Sequence, residues 1–449
     1  MKTRHPKGLI VLFFTEMWER FSFYGMRAIL VLYLTKETMG SNPGMGWDNA
    51  RALALYGWYT MLVYLMSIPG GILADRFLGQ KKTVFLGGVL IAGGQLLLAV
   101  DSLTAFYTGL ALIISGVGCL KPNISTMVGG LYREGDPRRD EGFTIFYIGI
   151  NIGAFAAPLL VGYVGEVHNW HLGFAMAGVG MLLGQVVYVW GQKYLQEVGN
   201  YTPAKRIEGT NKEAPLTKIE KDRVVVLLIS FLIVIIFWAA YEQAGGLMNL
   251  YTEEKINRVV LGWEIPASWF QSVPALFVVV LGTVIARYWT KRGRKGKETS
   301  SLFKMSVGII ITGTGFLMMS GAALQAQTGI KPMLFWLIFS YLLQVVGELS
   351  LSPVALSFIT KVAPAKYASI MMGVYFAATG LGNKLAGLVG EFATTAGELE
   401  VFTGIFVFCA VFGLLLLVFL KKLKALTHGA ETIKEDPYAD AEPQASIEA

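Results

Sequence analysis

Charge is what this sequence has least of. Asp, Glu, Lys and Arg make up 15% of its 449 residues, against about 25% in a typical soluble chain, and the mean hydropathy is +0.53. Cysteine is nearly absent. Cys119 and Cys409 fall inside apolar runs of opposite halves, so no disulfide framework organises the chain. The four histidines (His5, His168, His171 and His428) avoid the centres of the apolar runs. No His/Cys/Asp grouping has the spacing of metal ligands or of a nucleophile with its base. No soluble domain is inserted either. These absences argue against an enzyme and against a resident metal or organic cofactor. The net charge of +7 does not point to nucleic acid, because in so apolar a chain the placement of basic residues matters more than their sum.

What remains is hydrophobic length. A spanning helix needs roughly 20 residues, and apolar runs of that order occupy 8–34, 49–74, 83–100, 104–132, 142–165 and 172–194, then 223–251, 266–289, 302–323, 333–359, 368–393 and 402–420. The pattern predicts an all-α polytopic membrane protein with twelve transmembrane helices. It divides into an N-terminal six-helix bundle over 1–194, a polar linker over 195–222, a C-terminal six-helix bundle over 223–424 and a tail over 425–449, expected to be disordered. Arg76, Lys81, Lys82, Arg133, Arg138, Arg139, the linker lysines and the cluster from Arg287 to Lys297 all fall on one set of loops. The excess of positive charge predicts that this side, with both termini, is cytoplasmic.

The few charges inside the runs are informative, since a lone charge at mid-membrane costs at least about 2.5–3.5 kcal/mol. The first run carries Glu16, Glu19, Arg20 and Arg27. At about 100° per residue, Glu16, Arg20, Tyr24 and Arg27 share a face, with Glu19 at its edge. A helix lining a polar interior is expected, with Leu12, Phe13, Ile29 and Leu30 toward lipid. Lys121 lies in the fourth run, Glu242 in the seventh and Glu348 in the tenth. Runs one, four, seven and ten are equivalent positions in two repeats of six. Cations in one half and carboxylates in the other are expected to pair, Arg27 with Glu242 and Lys121 with Glu348. Such pairs are either static, in which case losing one partner harms folding, or gates that break and re-form as the halves rock; gating is the favoured reading.

The second run ends in Gly71-Ile-Leu-Ala-Asp75-Arg76-Phe-Leu-Gly79-Gln-Lys81-Lys82, which resembles the loop signature of the major facilitator superfamily and implies that fold. Glu16-Met-Trp-Glu19-Arg20-Phe21-Ser-Phe23-Tyr24-Gly25 resembles the E-x-x-E-R-F-x-Y-Y-G motif of the proton-dependent oligopeptide transporter family. Phe146-Tyr147-Ile-Gly149-Ile-Asn151-Ile-Gly153, Phe237-Trp238 to Glu242-Gln243, and Gly347-Glu348 to Ser352-Pro353 look like further motifs of that family, and the similarity extends to about Lys421.

The resemblance implies a proton-coupled symporter that imports di- and tripeptides by alternating access, with protons as the coupling ion in place of any cofactor. It implies a bacterial inner membrane, a bilayer but no nucleic acid among the partners, and function as a monomer. By motif match, Glu16, Glu19 and Arg20 couple protonation to binding. Arg20, Tyr24 and Lys121 receive the peptide carboxylate, and Asn151 and Glu348 its amino terminus. Arg27, Tyr64 and Ser352 belong to the same binding region, and Asp75 and Arg76 to the cytoplasmic loop motif. Trp238, with Trp269, Phe270 and Tyr375, is expected to wall the side-chain pockets. Four carboxylates, Glu16, Glu19, Glu242 and Glu348, are suited to carry the proton, since a carboxylate that changes ion partners changes its proton affinity. Glu16 and Glu19 are favoured for coupling and Glu242 for gating, though residue types alone do not choose among them. Lys384, in the eleventh run, has no assigned role.

The sequence also departs from the family pattern. Phe23 replaces a tyrosine, Tyr375 replaces a tryptophan, and Pro274 stands where an asparagine is common. The linker is too short and polar for the two extra helices that many bacterial relatives insert. The altered eighth run leaves open a second reading, the same fold carrying another anion or a drug-like substrate.

Overall fold

The structure is a computed structural model that describes residues 5–431, apart from 134–135, 137, 197, 201–215 and 365–366. Most of the polar linker and the tail from 432 onward therefore lie outside the described residues. The first six helices are α1 (Lys7–Thr35), α2 (Asn49–Leu65, carried on through Ser67–Leu73 and Ala74–Leu78), α3 (Gly79–Leu98), α4 (Leu103–Gly130), α5 (Arg139–Tyr163, extended by Val164–His168) and α6 (Trp170–Trp190). The second six are α7 (Lys218–Tyr241, then a tight turn at Glu242–Ala244 and a last stretch Leu247–Glu254), α8 (Val273–Arg294, preceded by a 3-10 turn at Ala267–Ser272), α9 (Ser301–Gln327), α10 (Leu334–Val362), α11 (Ala368–Ala396) and α12 (Glu398–Val418). A short helix, α13 (Leu420–Ala425), follows. Nine helical stretches among the described residues are long and apolar enough to cross a membrane, and the one over 49–98 contains both α2 and α3. The charge-bearing α1 and α11 complete the twelve.

Local chemistry sets the helix starts. Asp48 accepts a hydrogen bond from the Arg51 N–H (2.8 Å) at the head of α2, and Asn169 does the same for Leu172 (3.1 Å) at the head of α6. Thr217 and Glu220 form a reciprocal capping box, so α7 starts at Lys218, ahead of the expected 223. Its signature, Thr-Lys-Ile-Glu, is readable in the sequence.

The two sets of six form two bundles. In the first, α1 packs against α5 and α6, and α3 against α4. In the second, α7 packs against α11, and α9 against α10 and α12. Outward-facing apolar side chains such as Leu228, Phe408 and Val418 stay exposed, as a lipid-facing surface requires. The expectation for the outer face of α1 is corrected: Leu12, Ile29 and Leu30 are fully buried, because α5 and α6 enclose that side of the helix.

The halves meet along α2–α11 and α5–α8, which are equivalent pairs under the repeat. Gly57 and Gly387 make the first crossing possible, since a Cβ on Gly57 would lie 2.9 Å from the Gly387 Cα. The second is clasped at the end of the bundle away from the termini, here called the far end. Glu166 of α5 accepts hydrogen bonds from the Ala267 N–H (2.8 Å), the Ser268 N–H (3.0 Å) and the Ser268 hydroxyl (2.8 Å) ahead of α8. Arg258, beside a two-stranded hairpin (β1 Val259–Val260, β2 Trp263–Glu264), faces Glu166 at 3.6 Å, Glu253 at 2.7 Å and Glu264 at 3.1 Å. Asn249 of α7 donates to the Ala28 carbonyl of α1 at 2.9 Å.

At the end carrying the termini, the basic end, the segment after α12 is tied back to its own bundle. Lys424 Nζ lies 2.7 Å from Glu298, Arg223 donates to the Thr427 carbonyl (3.2 Å), and His428 lies 2.7 Å from Asp222. Partial burial pushes the Glu298 carboxyl up. Lys424 and the Ser300 N–H outweigh that and hold it at about 2, against an ordinary 4.5. A depressed carboxyl contributes stability that is complete above 4.5 and lost as pH falls through 2.

Two outcomes follow from these contacts. Glu166→Ala removes three hydrogen bonds between the halves and one partner of a buried arginine, at a cost of about 1–3 kcal/mol. A lower thermal midpoint is expected in detergent, and an unchanged midpoint would mean that the clasp carries no weight. Amides of α13, corrected for intrinsic exchange, should lose protection between pH 4.5 and about 2 in the wild type. That step should be absent in Glu298→Gln.

Candidate functional site

The site begins with a turn of α1. Arg20 Nε lies 3.0 Å from Glu16 and also contacts Glu19, and all three side chains are at least 95% buried. One oxygen of each carboxylate and one guanidinium nitrogen remain enclosed without partners. The i, i+4 spacing read from the sequence thus produces a compact buried triad. Tyr24 and Arg27 continue the same face.

Beyond the triad lies a cavity of about 180 Å³ between the halves. Tyr24, Arg27, Tyr64 and Asn151 border it from the first half, and Trp238, Glu242 and Glu348 from the second. Glu16, Glu19, Arg20, Lys121 and Ser352 stand outside its immediate lining. Trp269 and Phe270 do not border it either, correcting their expected role as walls. The 3-10 turn directs Trp269 toward Tyr163 and Trp263 at the far end and buries Phe270 in the core, while Gln271 and Pro274 reach the cavity. Tyr375 also lies outside the lining and packs edge-on to Phe376.

At one end of the cavity, Arg27 Nη2 lies 2.8 Å from Glu242 Oε1. A third group completes this contact. Arg27 Nε donates to the Tyr56 hydroxyl at 2.7 Å, and that hydroxyl donates to Glu242 Oε1 at 2.5 Å. The cluster therefore joins α1, α2 and α7. The break after Tyr241 makes room for it, because a Cβ on Gly245 would sit 2.7 Å from two Arg27 nitrogens and closer still to the Tyr56 hydroxyl.

The second expected pair is not made. Lys121 Nζ lies 3.8 Å from the centre of the Tyr64 ring, and Glu348 accepts a hydrogen bond from the Tyr241 hydroxyl. Among the described residues neither charge has an ion-pair partner. Each is held within its own half, Lys121 by a cation–π contact and Glu348 by a phenol. Asp75 and Arg76 lie in the last turn of α2, exposed and without an ion pair among the described residues. In that loop it is Lys81 that makes contacts, to the Gln196 carbonyl (3.2 Å) and Asn200 (3.1 Å) at the start of the linker. Lys384 stacks on Trp58 at 4.5 Å across the α2–α11 seam.

Sequence reasoning missed Tyr56, Tyr147, Tyr241, Gln271 and Asn383. For Tyr56 a signal existed, because Tyr56, Thr60 and Tyr64 recur every four residues and so share one face of α2. The Tyr56 cluster yields a test. Tyr56→Phe leaves the ion pair without its bridging hydroxyl, and about 1 kcal/mol of contact between the halves is lost. Gly245→Ala forces the cluster apart and should act more strongly. Spin labels on the far-end loops of the two halves should report a longer or broader separation in both variants, larger in Gly245→Ala. An unchanged distance distribution would exclude the cluster as a determinant of far-end closure.

The POT family profile matches residues 81–212 and 204–403. The chain is 40% identical to the uncharacterized transporter YclF of Bacillus subtilis (strain 168), covering 87% of this chain and 89% of that one. It is 35% identical to the di-/tripeptide transporter of Lactococcus lactis subsp. cremoris, covering 94% and 96%. Among solved structures it resembles a peptide transporter POT in complex with sulfate (TM-score 0.87, 36% identity, 94% of this chain and 96% of that one). It also resembles a POT family transporter in complex with 5-aminolevulinic acid (TM-score 0.86, 30% identity, 93% and 97%). With its two six-helix bundles of major facilitator type, the chain belongs to the POT family, the proton-dependent oligopeptide transporters.

Proposed function

We propose that this protein imports di- and tripeptides together with protons by alternating access. The observation that carries the reading is the polarity of the cavity between the halves, with Arg27 and Tyr24 bordering it from one half and Glu242 and Glu348 from the other. A cation and a carboxylate left unpaired with each other in opposite halves, Lys121 and Glu348, suit a zwitterion, the one feature common to all short peptides. Arg20, Tyr24 and Lys121 would take the substrate carboxylate, and Asn151 and Glu348 its amino terminus. Glu16 and Glu19, buried with unused acceptor oxygens, have the capacity to take up and release a proton against Arg20. The made Arg27–Glu242 pair and the unmade Lys121–Glu348 pair support a gate at each end, one closing as the other opens. Under the positive-inside rule the basic end faces the cytoplasm of a bacterial cell. A monomer encloses the whole cavity and suffices for this cycle.

Pro274 borders the cavity where a side-chain amide would otherwise add a polar contact. That favours, as the second reading, transport of another anion or drug-like compound on the same scaffold. Uptake of labelled dialanine into proteoliposomes separates the two. Accumulation is expected under an inward proton gradient. Glu19→Gln should abolish accumulation while downhill exchange survives. Absence of dialanine uptake by folded wild-type protein would remove the peptide assignment.

A further inference from the structure

Several polar groups around the cavity have partners. Asn151 Nδ2 donates to the Tyr147 carbonyl (2.8 Å), Gln271 Nε2 to the Ala244 carbonyl (2.6 Å), and the Tyr241 hydroxyl to Glu348. Asn383 of α11 has none. It borders the cavity and is 1% exposed, and its Oδ1 is enclosed without a hydrogen-bond partner. Trp238 Nε1, also on the cavity wall, is unpartnered too. The two belong to one packed seam, for a Cβ on the adjacent Gly382 would lie 2.7 Å from Trp238 Cβ. An unpaired buried amide is destabilising, and a leucine of similar volume would avoid that cost. The position makes physical sense if something entering the cavity completes the amide.

We infer that Asn383 is a substrate-contacting residue that hydrogen-bonds the peptide unit of the transported peptide. The inference rests on the peptide reading above and adds a recognition element to it. In a short peptide the two charged ends go to charged groups, the carboxylate to the cations of the first half and the ammonium to Glu348. Between them lies one neutral amide in a dipeptide and two in a tripeptide, each with an N–H donor and a carbonyl acceptor. A neutral side-chain amide offers both complements and leaves the charge balance of the cavity unchanged. A site built to hydrogen-bond such a group discriminates against an analogue that lacks it.

The test uses glycylglycine and 5-aminolevulinic acid. The second compound has the same chain ends and carbonyl but a methylene in place of the peptide N–H. In proteoliposomes, wild-type uptake should favour glycylglycine in kcat/KM by about fivefold or more. Asn383→Leu, which keeps the volume and removes the hydrogen bonds, should lower kcat/KM for glycylglycine selectively and bring the ratio toward one. Asn383→Ala serves as the second variant, and retained 5-aminolevulinic acid uptake certifies that each variant is folded. A ratio unchanged in variants that still transport would overturn the inference, as would an equal loss for both compounds, which marks a packing role. A wild type that carries both compounds equally also overturns it. If the wild type carries neither, the peptide reading itself falls and this inference falls with it.

Discussion

Arg27 sits where the two halves of the molecule face each other, its Nε donating to the Tyr56 hydroxyl and its Nη2 paired with the Glu242 carboxylate, while those two partners are also bonded to each other. Much of the arrangement around it follows from one constraint, that a charge inside a bilayer must find a partner within the protein. The carboxylate that serves Arg27 comes from the other half of the chain. The ion pair is therefore also an inter-half contact, and the helix supplying it must break to admit it. The tight turn at Glu242–Ala244 and the glycine at 245 supply that break. A phenol bonded to both charges adds α2 to the joint, so three helices from two bundles converge on one carboxylate.

The same constraint is met differently elsewhere. Glu16, Glu19 and Arg20 pair with one another within a single helix and leave one buried oxygen on each carboxylate without a partner. Lys121 and Glu348 settle on an aromatic face and a phenol, partners that are weaker than an ion pair and belong to their own bundles. At the far end, where the chain leaves the apolar region, Arg258 gathers three carboxylates and Glu166 caps the start of α8. The halves are thus held by strong polar contacts toward one end. Lys121 and Glu348, by contrast, keep partners that are weaker and confined to their own halves.

Much of this was legible in the chain itself. The scarcity of charge and the twelve apolar runs determined an α-helical membrane protein in two sets of six. Helical periodicity placed Glu16, Arg20, Tyr24 and Arg27 on one face, and the repeat logic matched Arg27 to Glu242. Local signals also encoded what was overlooked, such as the Thr217–Glu220 capping box and the fourfold spacing of Tyr56, Thr60 and Tyr64. Tertiary packing alone decided the rest. Leu12, Ile29 and Leu30 look the same in sequence whether they meet lipid or α5 and α6, because hydrophobicity does not distinguish a bilayer from a protein interior. Trp269, Phe270 and Gln271 are consecutive, and only the pitch of a short 3-10 turn determines that the glutamine reaches the cavity. Lys121 and Glu348 carry opposite charges in equivalent helices, yet whether they touch depends on how far apart the halves stand, a rigid-body variable that no local pattern encodes. Asn383 is one amide among many in the sequence. Its place on the cavity wall, buried and with an unpartnered oxygen, exists only once the helices have packed around it.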